Sequence, residues 1–325
     1  MSTPTIMAPA IGIGIDVSKS KLDLAVKLSD SSYRESSFSN DLKGIRALCG
    51  YLKRQEAACA APLIIESTGD YHLQSALMIK QRRYNVKLLN PIVTKKYQKS
   101  STRNAKTDKI DARRLSDIAV LERNVPDFSD NLAQIRARKL VSLAAHLEKS
   151  RQQLLLSLKR FEETAAVIDL KHLLTHAHRA LSEIDEQLKI TKRSITELLP
   201  EKCGQLADNT AGLSREKLAV IHALIGDKKF TDPGQITAFF GLDVAVRQSG
   251  TWRGKSKLSK RGNAYGRKIL YQIAWGMKTH NPIFKAYYDE RRRNKKHYTT
   301  ILISLARKFL RFYFAYYCKS AVNNI

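Results

Sequence analysis

The chain has 325 residues, 43% of them hydrophobic and 27% charged, with 57 Lys and Arg against 30 Asp and Glu, a net charge of +27. That length divides into two or three globular domains; it contains no run of about 18 apolar residues for a membrane span, and its first residues lack the pattern of a secretory signal. Cys49, Cys59, Cys203 and Cys318 are scattered without paired spacing, which argues against a disulfide framework or a structural zinc site and predicts a reducing, cytoplasmic setting.

The excess charge is localised. Lys80 to Arg114 holds twelve Lys/Arg against two acids, residues 250–325 hold eighteen against two, and everything else carries 27 against 26. Two basic blocks on a balanced remainder form a polyanion footprint. Neither block reads as an amphipathic Lys/aromatic helix, so nucleic acid is favoured over a membrane surface.

In chain order, Ile11, Ile13 and Ile15 alternate with Gly12 and Gly14 before Asp16, and Leu22, Leu24, Val26 and Leu28 alternate again, so residues 11–28 predict a hairpin. Residues 32–39 supply a third strand, Asn40 an N-cap for a helix through Arg54, and Pro62–Ile65 a short apolar strand ending in Glu66. A helix follows Asp70, then a strand at Val86–Leu89 stopped by Asn90-Pro91. This is a mixed α/β sheet. Thr107 to Glu122 predicts a helix that sets Asp108, Asp111, Leu115 and Ile118 on one face, pointing at the sheet. Leu140 to Ala165 and Ala177 to Leu198 step by four and three, which predicts two heptad-patterned helices about 45 Å long. They form either an antiparallel arm or dimer seam, or a hairpin packed on its own domain. Beyond Glu201 come short helices, a basic loop at 247–263 with Gly250, Gly254 and Gly262, and helices to the end. The expected division is 1–130, 131–200 and 201–325.

Four carboxylates occupy telling places: Asp16 and Glu66 close strands, and Asp108 and Asp111 share a sheet-facing stripe. A carboxylate on a buried face is costly unless it is paired or metal-bound. Taken singly, each has an ordinary explanation as a turn, cap or ion-pair residue. Taken as a set in a basic protein, they point to divalent magnesium, or manganese in its place, which prefers carboxylate oxygen and serves phosphoryl transfer.

Ile13-Gly14-Ile15-Asp16, Ile64-Ile65-Glu66-Ser67-Thr68-Gly69, Lys106-Thr107-Asp108-Lys109-Ile110-Asp111-Ala112, Gln248-Ser249-Gly250 and Leu258-Ser259-Lys260-Arg261-Gly262-Asn263 appear in order. From Ile11 to Phe314 the chain resembles the DEDD transposases of bacterial insertion sequences, a family that includes the pilin-gene-inverting recombinases. The resemblance implies an RNase H-like N-terminal domain of the Holliday-junction-resolvase type, a long helical coiled-coil arm and a mainly α C-terminal transposase domain. It implies Asp16, Glu66, Asp108 and Asp111 as metal-binding acids and Ser249 as the serine that attacks DNA phosphate. It further implies a structured guide RNA that pairs with donor and target DNA, and a homo-oligomer, dimer to tetramer, in which one subunit's serine completes another's acid site. A bacterial cytoplasmic location at the nucleoid follows. Relatives often carry a Gly-Ile-Gly hairpin before the serine domain; here Thr210-Ala211-Gly212-Leu213-Ser214 has one glycine.

Read from its own surroundings, Ser249 is a weak nucleophile in need of a base or metal, and Gly250 leaves room for a phosphate. Spacing alone leaves Ser256 and Ser259 as rivals. Expected nucleic-acid contacts are Lys106, Lys109, Arg113, Arg114, Arg247, Arg253, Lys255, Lys257, Ser259, Lys260, Arg261 and Arg267. The reading is a DNA recombinase that cuts and rejoins strands. Its alternatives are a structure-selective metal-dependent nuclease and a non-catalytic nucleic-acid-binding protein. Phe309, Phe312, Tyr313, Phe314, Tyr316 and Tyr317 are expected as helix core, and Tyr265 and Tyr298 as stacking candidates. His172, His176 and His178 are expected to be solvated.

Overall fold

The computed structural model describes residues 8–54, 61–67, 69–100, 108–165, 167–168, 170–245, 248–249, 252–253 and 257–318; for Asp108, Lys109, Ser249 and Arg253 the description covers the backbone only. The chain divides into two compact units, Met1–Asp130 and Asn131–Ile325.

The first unit is a five-stranded mixed sheet in the order β3-β2-β1-β4-β5. β1 (Ala10–Val17), β2 (Lys21–Leu28) and β3 (Tyr33–Ser39) form an antiparallel meander. β4 (Pro62–Glu66) and β5 (Asn85–Leu89) add in parallel on the other side of β1. α1 (Leu42–Arg54) is capped by Asp41 rather than by the expected Asn40: the Asp41 carboxylate accepts from the Gly44 N–H at 2.7 Å, while the Asn40 amide donates to the Ser18 and Tyr71 carbonyls. α2 spans Leu73–Lys80. Asn90-Pro91 does stop β5, but Pro91 also opens α3 (Pro91–Ser100), where its fixed φ suits a first helical turn.

α4 (Asp108–Leu121) covers one face of the sheet, and the glycines of β1 are the reason it can lie so close. A Cβ on Gly14 would fall 2.2 Å from the Ala112 carbonyl oxygen, and one on Gly12 would fall 2.6 Å from that of Ser116. Ile64, Leu89, Leu115, Ile118, Ala119 and Val125 pack into this layer. Outside it, Lys27 and Tyr33 both donate to Asp117, and Arg113 binds Glu35 through two N–H groups, clamping α4 to β2 and β3. The outer edge of β5 is occupied by the segment that follows α4. The Leu88 N–H donates to the Pro126 carbonyl, the Phe128 N–H to that of Val86, and Lys87 pairs with Asp127 at 2.8 Å.

In the second unit, α5 (Leu132–Ala165) and α6 (Lys171–Glu197) lie antiparallel, joined by Arg151 with Asp185 and by His178 with Glu162 at 2.9 Å. Ala137, Val141, Ala144, Leu188 and Ile195 enter the core of this unit, so the near half of the hairpin packs on its own domain. Farther out, Leu156 and Phe161 are exposed. α7 (Glu201–Asp208), α8 (Arg215–Ile225), α9 (Pro233–Phe239), α10 (Ala264–His280), α11 (Pro282–Arg293) and α12 (Tyr298–Tyr313) complete the unit, and a π-helical turn at Phe314–Cys318 follows. Gly212, at φ 80°, sits so close to α10 that a Cβ would meet the Gly276 carbonyl at 2.3 Å. The single-glycine turn between α7 and α8 is therefore pressed into the protein. Phe309 and Tyr313 are fully buried, as expected of a core helix, whereas Phe312 is 39% exposed.

Candidate nucleic-acid cleavage site

Strand register fixes where the N-terminal acids stand. Gly12 and Gly14 face α4, so Asp16, two residues on, shares that face. The parallel pairing of Ile15 with Ile65 carries Glu66 to the position beside Asp16 on the neighbouring strand. Gly12 lies against Ser116 and Val120, and Gly14 against Ala112 and Ser116. α4 thus runs opposite to β1, and its first turn, with Asp108 and Asp111, lies at the Asp16 end. Leu115 and Ile118 are each 1% exposed, which matches the expected stripe.

The Asp111 carboxylate accepts from Arg114 Nη1 at 3.0 Å, with both side chains largely covered. The Asp108 carboxylate is outside the described atoms. Among the described residues, no three His, Cys, Asp or Glu side chains are disposed to hold a metal ion. The donor chemistry of Asp16, Glu66 and Asp111 nonetheless suits a hard divalent cation, which takes oxygen ligands and keeps several of its waters.

The expected cationic contacts fall into three groups. Arg113 is committed to Glu35 and its guanidinium lies 5.4 Å from the Tyr33 ring centre; Arg114 is committed to Asp111; Arg267 donates to the Gly262 and Phe240 carbonyls at 2.6 and 3.2 Å. These three are held by contacts within their own units. Lys257, Lys260 and Arg261 are exposed. Lys106, Arg247 and Lys255 lie outside the described residues, as do the side chains of Lys109 and Arg253.

The basic loop is a ribbon. β6 (Val244–Ala245) pairs with β9 (Lys257–Leu258), and β7 (Gln248–Ser249) pairs with β8 (Trp252–Arg253), so Ser249 stands opposite Trp252. Its base is heavily tied. The Ser259 hydroxyl donates to the Asp243 carboxylate, and the Ser259 N–H donates to the Asp243 carbonyl at 3.0 Å. Arg307 Nε reaches the Leu242 carbonyl at 2.7 Å, and Asn263 caps α10 through the Gly266 N–H at 2.8 Å. Ser259 therefore braces the ribbon, and the helix cap falls to Asn263. Asp243 and Arg307 were not among the expected site residues. No motif marks Asp243, and Arg307 comes from a helix almost fifty residues downstream of the loop. Ser256 lies outside the described residues. Tyr265 is spent on packing: its hydroxyl donates to Glu148 at 3.1 Å, and burial and then Glu148 push its pKa up. Tyr298 is 45% exposed, with its ring against His297.

Two family models match the chain in order: a DEDD transposase model of the IS110 type over residues 13–163, and the transposase IS116/IS110/IS902 family over residues 205–289. No curated protein sequence matches. No helix among the described residues is long and apolar enough to cross a membrane. The first match holds the strand-end acids and α4, the second holds the serine ribbon, and together they span about seven-tenths of the chain; the protein accordingly carries transposase domains similar to those of the IS110 type and is a DNA-processing enzyme.

Proposed function

We propose that this transposase cuts and rejoins DNA with two sets of residues: the acids Asp16, Glu66, Asp108 and Asp111, and the serine Ser249. The observation that carries this reading is the register that puts Asp16 beside Glu66 on the α4 face, at the end where α4 begins. Asp16, Glu66, Asp108 and Asp111 would hold divalent magnesium or manganese, which when bound supplies positive charge to a phosphate undergoing substitution. The chain's own residues do the rest. The Ser249 hydroxyl gives up its proton as Oγ attacks phosphorus, the Oγ–P bond forms, the P–O bond to the leaving sugar breaks, and the leaving oxygen takes up one proton, so the proton count is unchanged. An incoming DNA hydroxyl reverses the exchange and releases the serine. The covalent link conserves the phosphodiester for rejoining, a step that a plain hydrolase lacks. Lys257, Lys260 and Arg261, on the exposed limb of the ribbon, hold backbone phosphate and confer position rather than sequence.

In this reading the outer half of the α5–α6 hairpin, within residues 131–200, is the oligomerisation element of a chain with an acid domain (1–130) and a serine domain (201–325). Ser249 of one subunit serves the acids of another, and a structured RNA selects donor and target DNA at the nucleoid. The test mixes Ser249→Ala with Asp16→Asn protein. Asp16→Asn alone is expected to lose strand cleavage and keep DNA affinity. Verified mixed oligomers are expected to regain cleavage, with the covalent adduct on the Asp16→Asn subunit. No recovery rejects the trans arrangement, an adduct formed by Ser249→Ala alone moves the nucleophile to another serine, and cleavage without any adduct leaves a nuclease. Sequencing nucleic acid that co-purifies with the protein tests the RNA.

A further inference from the structure

Among the described residues one charged side chain is buried: Asp23, at 4% exposure. Its place is specific. Asp23 lies directly opposite Asp16 in the β1–β2 ladder and directly opposite Ser37 in the β2–β3 ladder. Directly opposed residues share a face, with Cβ atoms about 5 Å apart. Ser37, Asp23, Asp16 and Glu66 thus form one row across four strands, beneath the end of the sheet where α4 begins.

Asp23 is compensated by two partners. The Ser37 hydroxyl donates to Asp23 Oδ1, and the Lys21 ammonium lies 2.7 Å from the same oxygen. Lys21 is two residues before Asp23 on β2, hence on the same face, and its side chain remains 43% exposed. A half-exposed ammonium paired with a buried carboxylate adds little to fold stability, because desolvation of the carboxylate offsets much of the Coulombic gain. What it achieves is placement. Lys21 is tethered at its tip by a carboxylate that cannot itself move into solvent. The tether fixes a compact cation, with three donors, next to the carboxylate row that an anionic DNA phosphate must approach.

We propose that Lys21 is a phosphate-binding cation of the cleavage site and that Asp23 is the positioning residue that holds it there. The ligand is a DNA phosphodiester oxygen, and the inference rests on Asp16 and Glu66 belonging to the cleavage site. Three measurements test it on the full-length protein with its nucleic acid: single-turnover cleavage at saturating DNA, DNA affinity by anisotropy, and the thermal unfolding midpoint. Lys21→Met should lower the cleavage rate about 10²-fold, the loss typical of one preorganised charge-stabilising donor, with DNA affinity within about threefold. Lys21→Arg should restore most of that rate. Asp23→Asn should lower the rate about tenfold, and should add less than about threefold when combined with Lys21→Met, since a residue acting through another has nothing left to position.

Asp16→Asn serves as the reference. If Asp16→Asn still cleaves normally, the acid-site reading fails and the proposal with it. If Asp16→Asn is inactive while Lys21→Met cleaves like the wild type, the proposal alone is overturned. It is also overturned if the full loss from Asp23→Asn persists on the Lys21→Met background, which would give Asp23 a separate role. Should Asp23→Asn fail to fold, the contrast between Lys21→Met and Lys21→Arg, at a half-exposed side chain, decides the matter.

Discussion

Gly14 shows how one missing methyl group builds a site. Its hydrogen lets the α4 backbone come close enough that Asp108 and Asp111 share a sheet end with Asp16. Gly14→Ala should cost about 1–3 kcal/mol, as overpacking does, and hydrogen exchange at the β1 and α4 amides should show it as local loosening. Unchanged protection there would mean that α4 adjusts without strain. In the other unit, the half-buried His222 imidazole lies 2.8 Å from the Tyr313 hydroxyl through Nδ1, and its partial burial holds its pKa below the usual 6.5. As pH falls through 6.5 the unfolded chain takes up this proton before the folded one does, so stability present above 6.5 is lost on the way down. Both tryptophans, Trp252 and Trp275, belong to this unit. The denaturant midpoint read from their fluorescence should fall between pH 7.5 and 5.5, and His222→Asn should flatten that dependence.

At the scale of elements, what the sequence made legible depended on whether the deciding partner was local. Alternation placed the β1–β2 hairpin and the strand-end position of Asp16, while a short apolar run placed β4 and Glu66 at its end. The same alternation puts Asp23 on the polar half of β2. The sheet face it shares with Gly14 is the one that α4, some ninety residues later, covers, and no strand period can register a helix that distant. Asn40 and Asp41 are both good caps, and only the backbone geometry chose Asp41. The α5–α6 spacing fitted an arm and a packed hairpin equally, and the choice for the near half was made by α8, which packs against both helices, with Ala144 and Ile195 in the shared core. Glu148 fastens that half. It accepts from Lys192 at 3.2 Å, from Lys268 at 2.5 Å and from Tyr265, tying α5 to α6 and α10. Burial pushes its pKa up, but Lys268 and Lys192 outweigh this and hold it below the usual carboxylate value. Glu148→Ala should lower the stability of this unit by about 1–3 kcal/mol, the cost of leaving charged donors without their acceptor, read from the same tryptophan transition. A midpoint equal to that of the wild type would show the network to be ornamental.

For the molecule as a whole, charge is the property the sequence stated most directly. The two basic blocks hold thirty of the 57 Lys and Arg residues. Part of that charge is consumed internally by Arg113, Arg114, Arg267 and Lys268, so the count alone overstates the surface left for DNA. With about eight phosphates neutralised, affinity should fall roughly 10³–10⁵-fold between 50 and 200 mM salt. A shallow slope in a salt titration would show that the internal pairs take up most of the charge. The proposed cleavage residues were legible in part: the acids stood out as a set at strand ends and on a helix face of a basic chain, whereas Ser249 was singled out by the family resemblance, its own spacing leaving Ser256 and Ser259 as rivals. Their support was not legible. Asp243, Arg307, Asp23 and the carbonyls that receive Arg267 are brought in by tertiary packing from elements with no sequence relation to the motifs.

The segment Pro126–Phe128 along β5 has a practical consequence for cutting the chain. An open outer strand invites another copy to pair with it, and here the chain itself fills that place through the Leu88 N–H and the Val86 carbonyl. At the opposite border, β3 carries Arg34 and Glu35, whose charges discourage the same encounter. A fragment of residues 8–130 should therefore elute as a monomer in size-exclusion chromatography. One ending at residue 124 keeps every strand yet exposes the β5 border, and it should form soluble aggregates or precipitate. Three residues of apparent linker would then determine whether this sheet stays solitary.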